Sequence, residues 1–216
     1  LVNLVASTSN KKKKEQFFQQ LLEENGDNKQ KLSCISTWCS DFPSLTSNVL
    51  DSVLDILETE NDVYTRIHGL EVLAKLGKVE GVDKPLLFAS LFQFLQSDDT
   101  VERASLNKIL FDFFHSNQEE FLDTLFSCFI YEEHRTPFRN RLLRFICCEE
   151  LIGIIMKSSG LARIMNSLLR YTIVDCDPGE WEMFLSVLYA INNGRPMELL
   201  NVLSYIFEPD YYNTID

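Results

Sequence analysis

The stretch Leu50–Gly77 reads LDSVLDILETENDVYTRIHGLEVLAKLG. Leu50, Val53, Leu54, Ile56 and Leu57 recur at three-and-four spacing, which places them on one face of a helix of 3.6 residues per turn. A polar joint, Glu58-Thr59-Glu60-Asn61-Asp62, interrupts the pattern. Val63, Ile67, Leu70, Leu73 and Leu76 then restart it, and it stops at Gly77. Asp62 is expected to cap the second helix, and Gly77 to end it as a left-handed residue. A joint this short folds the two helices back on each other as an antiparallel pair.

Working outward, the same plan returns. Leu86, Leu87, Leu91, Phe92, Phe94 and Leu95 lead to the joint Ser97-Asp98-Asp99 and then to Val101, Ala104, Ile109, Leu110 and Phe113. A third pair runs from Phe121 to Tyr131, through Glu132-Glu133-His134-Arg135, to Phe138, Leu142, Leu143, Phe145 and Ile146. Helices near Lys11–Glu24 and Lys29–Phe42 form the first pair, and Leu1–Ser7 reads as a truncated helix. The basic residue in the first turn of each second helix is Lys31, Arg66, Arg103 or Arg139, at steps of 35, 37 and 36 residues. These four are expected to reach acids in neighbouring joints as a ladder that fixes register, or else to contact a partner.

Helix pairs at that period are the unit of HEAT-type repeats, each hiding its apolar stripe against its neighbours. The predicted fold is all-α, a HEAT/ARM-like right-handed α-solenoid of antiparallel helix pairs. A single continuous domain over 1–216 is expected, regular over 1–152 and degenerate over 153–216, where Leu161–Tyr171, Trp181–Ile191 and Met197–Phe207 read as helices. Eight glycines and six prolines leave few tight turns, and 31 leucines against 12 valines favour helix over strand. The chain begins at Leu1 without an initiator methionine, which suggests a fragment of a longer protein.

The net charge of −12 repels phosphate backbones and acidic head groups at long range, so neither DNA nor a membrane is an expected partner. The basic run Lys11–Lys14 reads as a solvated first turn. Six cysteines contain no CxxC pair, and no histidine follows them at zinc-ligand spacing, so no metal is expected and the thiols imply a reducing, intracellular compartment. The longest apolar stretch, Leu151–Met156, is six residues, against about 18 for a membrane span. No phosphate-cradling glycine motif is present. His68, His115 and His134 fall in separate repeats with no nucleophile or carboxylate at fixed spacing, so no enzyme and no cofactor is expected.

Three charged constellations bear on binding, and two of them are expected to carry it. Asp51, Asp55, Glu58 and Asp62 form an acidic stripe, which reads as a wet helix face. Asp175, Asp177, Glu180 and Glu182 crowd a joint beside Trp181, with two compatible roles: capping the next helix, or docking a basic segment. The exposed sides of the second helices offer His68, Glu71, Lys75, Lys108, Asp112 and Arg144 as a protein-binding face. An alternative is an RNA-associated helical repeat that touches nucleic acid through Lys11–Lys14 and Arg139, Arg141 and Arg144.

The wording of the joints carries a resemblance. Lys31–Asp62, with Asp41-Phe42-Pro43 and Glu60-Asn61-Asp62-Val63, resembles the first repeats of the apoptosis inhibitor 5 (antiapoptosis clone 11) family. Leu91–Asp99 is similar to that family's next repeat, and Val174–Glu180 with Phe184-Leu185 to its acidic joint. The resemblance runs in order along nearly the whole chain. It implies a non-catalytic interaction scaffold that suppresses apoptosis by binding other proteins, found in the nucleus and secondarily in the cytoplasm, with acinus, fibroblast growth factor 2 or DEAD-box RNA helicases as partners. Apart from the resemblance, the acidic joint makes basic or helical protein segments the expected ligands, and the chain is expected to be a monomer. Cys176 and Trp181 stand where the family tends to have acids. The family's later helices, leucine heptads and basic tail have no counterpart here.

Overall fold

A computed structural model describes residues 10–24, 26–133, 136–172, 176–192 and 204 of the chain. Eleven α-helices and short 3-10 turns make up its regular structure, with no strand among the described residues. The chain is all-α, as the leucine-rich pattern predicts. It divides into two compact units, residues 1–113 and 114–216, with the boundary inside the sixth helix.

In the first unit, α1 (Lys11–Glu23) opens on Asn10, whose side chain accepts the Lys13 amide, and α2 (Asn28–Trp38) opens on Asp27, which accepts from Lys29 and Gln30. Two 3-10 turns, Cys39–Asp41 and Pro43–Leu45, lead into α3 (Thr46–Thr59) and α4 (Val63–Leu76). These last two are the pair read from Leu50–Gly77. Asp62 caps α4 as expected, accepting the Thr65 amide at 3.1 Å. The helices approach closely because Gly69 faces Leu57: a Cβ at Gly69 would lie 2.8 Å from Leu57 Cδ2.

Gly77 corrects the expectation attached to it. Its φ of −62° is right-handed, so the position does not require the left-handed freedom of glycine. Space is what requires it. A Cβ there would stand 2.8 Å from Leu87 and closer still to the Phe113 ring. Phe113 belongs to α6 (Thr100–Ser116), which follows α5 (Lys84–Gln93) and a 3-10 turn at Phe94–Gln96. Asp99 starts α6 by accepting the amides of Val101 and Glu102 at 2.9 and 2.8 Å.

Two sets of side-chain bonds show how these pairs stack. At the N-terminal ends of α2 and α4, Lys29 Nζ pairs with Asp62 Oδ2 at 3.2 Å and Asn28 donates to Glu60 at 3.1 Å. At their C-terminal ends, Lys75 Nζ donates to Ser36 Oγ. The second helices therefore run side by side in one direction. The first helices do the same: Ser44 donates to Glu15 beside the start of α1, and Ser52 donates to the Leu22 carbonyl near its end. This is solenoid-type stacking. Between the layers lie Phe18, Leu32, Ile35, Val53, Leu57, Leu70, Leu73 and Leu76, all buried, each worth roughly 1.5–3 kcal/mol of hydrophobic transfer.

The second unit contains α7 (Gln118–Ile130), α8 (Pro137–Ile146), α9 (Glu149–Ile155), α10 (Ser159–Thr172) and α11 (Pro178–Ile191). Its core centres on Phe121, Phe126, Phe129, Leu142, Met165 and Phe184, with Phe129 and Phe184 edge to face at 5.4 Å. Asn166 and Asn192 exchange amide hydrogen bonds at 3.0 and 3.1 Å and tie α10 to the end of α11. The short α9 has no counterpart among the helices that the sequence pattern predicts. The helices expected at Leu1–Ser7 and Met197–Phe207 lie outside the described residues.

Candidate functional site

The expected ladder forms ion-paired rungs at two of its four positions, Arg66 and Arg139. Arg66, in the first turn of α4, holds Glu102 of α6 through Nε and Nη2 at 2.9 and 2.8 Å. Glu102 is only 2% exposed, and its other oxygen accepts from Ser97 at 2.6 Å. Arg139, in the first turn of α8, is 0% exposed and holds Glu180 of α11 through Nε and Nη2 at 2.7 and 3.1 Å. Its Nη1 donates to the carbonyls of Phe129 and Glu132 at 2.8 and 2.9 Å, and its guanidinium carbon lies 3.9 Å from the Phe129 ring centroid. One side chain thus joins α7, α8 and α11.

The other two members behave differently. Lys31 reaches main-chain carbonyls of Leu22 and Glu24, and the rung to the next pair comes from Lys29. Arg103 is half-buried and has no ion pair among the described residues. The repeat step marks the positions, but the pairing partner decides which become rungs.

Glu180 is drawn into this framework. Burial raises its carboxyl pKa, but hydrogen bonds from Arg139 and from the Asp177 amide outweigh it and hold the group below the usual range. Asp177 and Glu180 also form a reciprocal capping box, with amide-to-carboxylate bonds of 3.0 Å in both directions. The capping role weighed for this joint is therefore present in full, and the Glu180 carboxylate faces the interior. Asp177 is half-buried, Glu182 is exposed, and Asp175 lies outside the described residues. Of the four acids, Glu182 is the described one that meets solvent freely. The burial of Arg139 likewise removes it from any RNA-contacting set, while Arg144 is exposed.

The second-helix candidates fall into two groups. Glu71 and Lys75 on α4, and Lys108 and Asp112 on α6, are exposed, with His68 half-buried beside them and 3.6 Å from Glu71. The Arg66–Glu102 bonds tie α4 to α6 at their first turns, and Gly77 at the end of α4 lies against Phe113 of α6, so these residues share one layer of the first unit. Arg144 belongs to the second unit. Tyr64 and Val101, 78% and 57% exposed, occupy the first turns of α4 and α6. They add an apolar component that charge patterning did not reveal; their common 37-residue step was the available signal.

The acidic stripe divides. Asp62 is taken by its cap and by Lys29, and hydrogen bonds from Thr65 and Lys29 lower its pKa. Asp51, Asp55 and Glu58 stay exposed. Cys147 is pushed up to about 12, chiefly by burial, so it remains a thiol at neutral pH. Among the described residues no cluster could hold a metal ion, and no helix is long and apolar enough to cross a membrane.

Comparison with known proteins brings one family forward. The family model for apoptosis inhibitory protein 5 matches residues 2–208. Apoptosis inhibitor 5-B and apoptosis inhibitor 5-A of Xenopus laevis are each 26% identical over 153 residues, 70% of this chain and 28% of theirs. The match thus spans under a third of those relatives' length.

Proposed function

The chain belongs to the apoptosis inhibitory protein 5 family, and from that premise we propose that it is a non-catalytic, apoptosis inhibitor-like scaffold acting in the nucleus by holding other proteins. The supporting observation is the pair of rungs, Arg66–Glu102 and Arg139–Glu180, each with a buried carboxylate and each fixing one helix against another inside its unit. Helices held in register present a fixed surface, which lowers the ordering cost of binding. On the first unit that surface is the HEAT-like second-helix layer carrying Glu71, Lys75, Lys108 and Asp112, with Tyr64 and Val101 as apolar anchors of the kind that carry interface energy. On the second unit it is the exposed side of α11 at Glu182. The expected partners are basic or helical protein segments, including those implied by the family resemblance.

The test is capture of partners from nuclear extract by the tagged protein. Reversing Glu71, Lys75, Lys108 and Asp112 together is expected to deplete at least one partner five-fold or more while the circular dichroism spectrum is unchanged. Recovery equal to wild type from that variant, and from Glu182→Lys, would refute the assignment of these faces.

A further inference from the structure

Among the described residues, Tyr64, Tyr131 and Tyr189 stand exposed, at 78%, 89% and 63%. Tyr64 and Tyr189 lie inside α4 and α11, where the helix continues after them and buried residues follow: Thr65 after the first, Ile191 and Asn192 after the second. Tyr131 differs in both respects. It is the C-cap of α7, and the two residues beyond it, Glu132 and Glu133, have left the helix. Glu133 is exposed and Glu132 half-buried, and neither has an ion pair among the described residues.

The main chain on both sides of Tyr131 is anchored from within. Arg139 Nη1 donates to the carbonyls of Phe129 and Glu132, which bracket the tyrosine, and the Tyr131 amide donates to the Ser127 carbonyl at 3.1 Å. The phenol therefore projects into solvent from a backbone held in place. Ile130, 37% exposed, precedes it, so the stretch at this joint reads Ile-Tyr-Glu-Glu: an apolar residue, a phenol and two carboxylates. Arg139 itself directs its charge inward, to Glu180.

We propose that Tyr131 is a phosphorylation site, and that the phosphotyrosine followed by Glu132 and Glu133 docks a protein module with a basic phosphotyrosine pocket. In the modification the phenol oxygen attacks the γ-phosphorus of ATP held by a tyrosine kinase. A P–O bond forms, the bond from that phosphorus to the β,γ-bridging oxygen breaks, ADP leaves, and the phenol proton passes to the kinase's catalytic carboxylate. Kinases select substrates by charge pattern, and the two acids after the tyrosine supply one. The product adds a charge of about −1.5 to −2 at pH 7, beside two carboxylates and at the negative end of the α7 dipole. Both repel the phosphate from the chain and leave it to a partner's cations, which a bidentate arginine supplies best. The site lies in the second unit and uses neither the α4–α6 face nor Glu182, so its failure would leave the scaffold reading untouched.

The whole chain is incubated with ATP, magnesium and the catalytic domain of a non-receptor tyrosine kinase that prefers acids after the tyrosine, and the phosphate is located by mass spectrometry. Tyr131 is expected to carry most of it. Tyr131→Phe should lower the initial rate at least five-fold, whereas Tyr64→Phe and Tyr189→Phe should each change it less than two-fold. Phosphate absent from Tyr131, or spread evenly over the tyrosines as an unfolded chain would give, would overturn the site. The pair Glu132→Gln and Glu133→Gln is expected to lower kcat/KM at least five-fold, and an unchanged value would overturn the part assigned to the acids. For docking, the probe is an isolated SH2 domain selective for phosphotyrosine followed by acids. The phosphorylated chain is expected to bind it at least ten-fold more tightly than the unmodified chain, with the gain removed by a tyrosine phosphatase; equal binding of the two forms would overturn the docking role. Because the Tyr131 ring meets solvent, Tyr131→Phe should leave the circular dichroism spectrum and the unfolding midpoint unchanged, which separates a lost modification from a lost fold.

Discussion

Replacing Glu180 with alanine tests whether the buried rung holds the second unit together. The substitution removes both acceptors of the Arg139 guanidinium on α11 and also the oxygen that takes the Asp177 amide. Breaking one side of a buried ion pair costs about 3–5 kcal/mol, and losing a capping-box bond about 1 kcal/mol more. The carbonyls of Phe129 and Glu132 and the Phe129 ring still solvate Arg139, which places the total near 4 kcal/mol. That is a large part of the 5–15 kcal/mol typical of a domain. Arg139→Met should cost about the same, because it strands Glu180. The double variant Arg139→Met/Glu180→Ala leaves no buried charge and should be less destabilised than either single by about 1–2 kcal/mol.

The chain lends itself to the assay. It has two tryptophans, Trp38 in the first unit and Trp181 in the second. In a Trp38→Phe background, fluorescence during urea unfolding follows Trp181, four residues from the capping Asp177 on which α11 begins. Single variants that each lose less than about 1 kcal/mol, or a double variant that loses the sum of the two, would refute the reasoning.

The remaining expectations concern the first unit and acid. Arg66→Ala strands Glu102 at 2% exposure and should cost about 3 kcal/mol, whereas Arg103→Ala, with no ion pair to lose among the described residues, should cost under about 0.5 kcal/mol; equal effects in urea titrations would contradict the two-rung picture. Gly77→Ala drives a methyl into Phe113 and Leu87 and should destabilise by about 1–3 kcal/mol through overpacking, where a helix-propensity effect alone would stabilise it; the midpoint of thermal unfolding distinguishes the signs. Glu60, Asp62 and Glu180 all titrate below their ordinary values in the folded state. Their contribution is complete above the ordinary carboxylate range and disappears as pH falls through the lowered values, so stability should be flat from about pH 6 to 8 and decline below about pH 4.5. A stability that rose on acidification through that window would reverse the assigned sign.

Much of the fold was legible because local rules and tertiary packing agree. The Asp62 cap, the three-and-four stripes on both sides of it and the steps between Lys31, Arg66 and Arg103 are all short-range or periodic features. Contacts between elements were less legible. Arg66 finds Glu102 36 residues on and Arg139 finds Glu180 41 residues on, and no local pattern distinguishes Arg66 from Arg103. For Arg139 one signal existed: it shares a helix face with Phe138, Leu142 and Leu143, all buried, which is unusual company for a solvated arginine. Gly77 was misread because steric demand from a distant phenylalanine leaves no mark on neighbouring residues.

Crosslinking mass spectrometry of the tagged protein in cells, with a lysine-reactive reagent, tests most directly whether the outer faces of the helices hold partners. Lys75 and Lys108 lie on the α4–α6 face, whereas Lys157 lies just beyond α9 in the other unit. Partner peptides are expected on Lys75 and Lys108, with yields that fall when Glu71 and Asp112 are reversed. Partner crosslinks restricted to Lys157, or unaffected by those reversals, would contradict binding on that face.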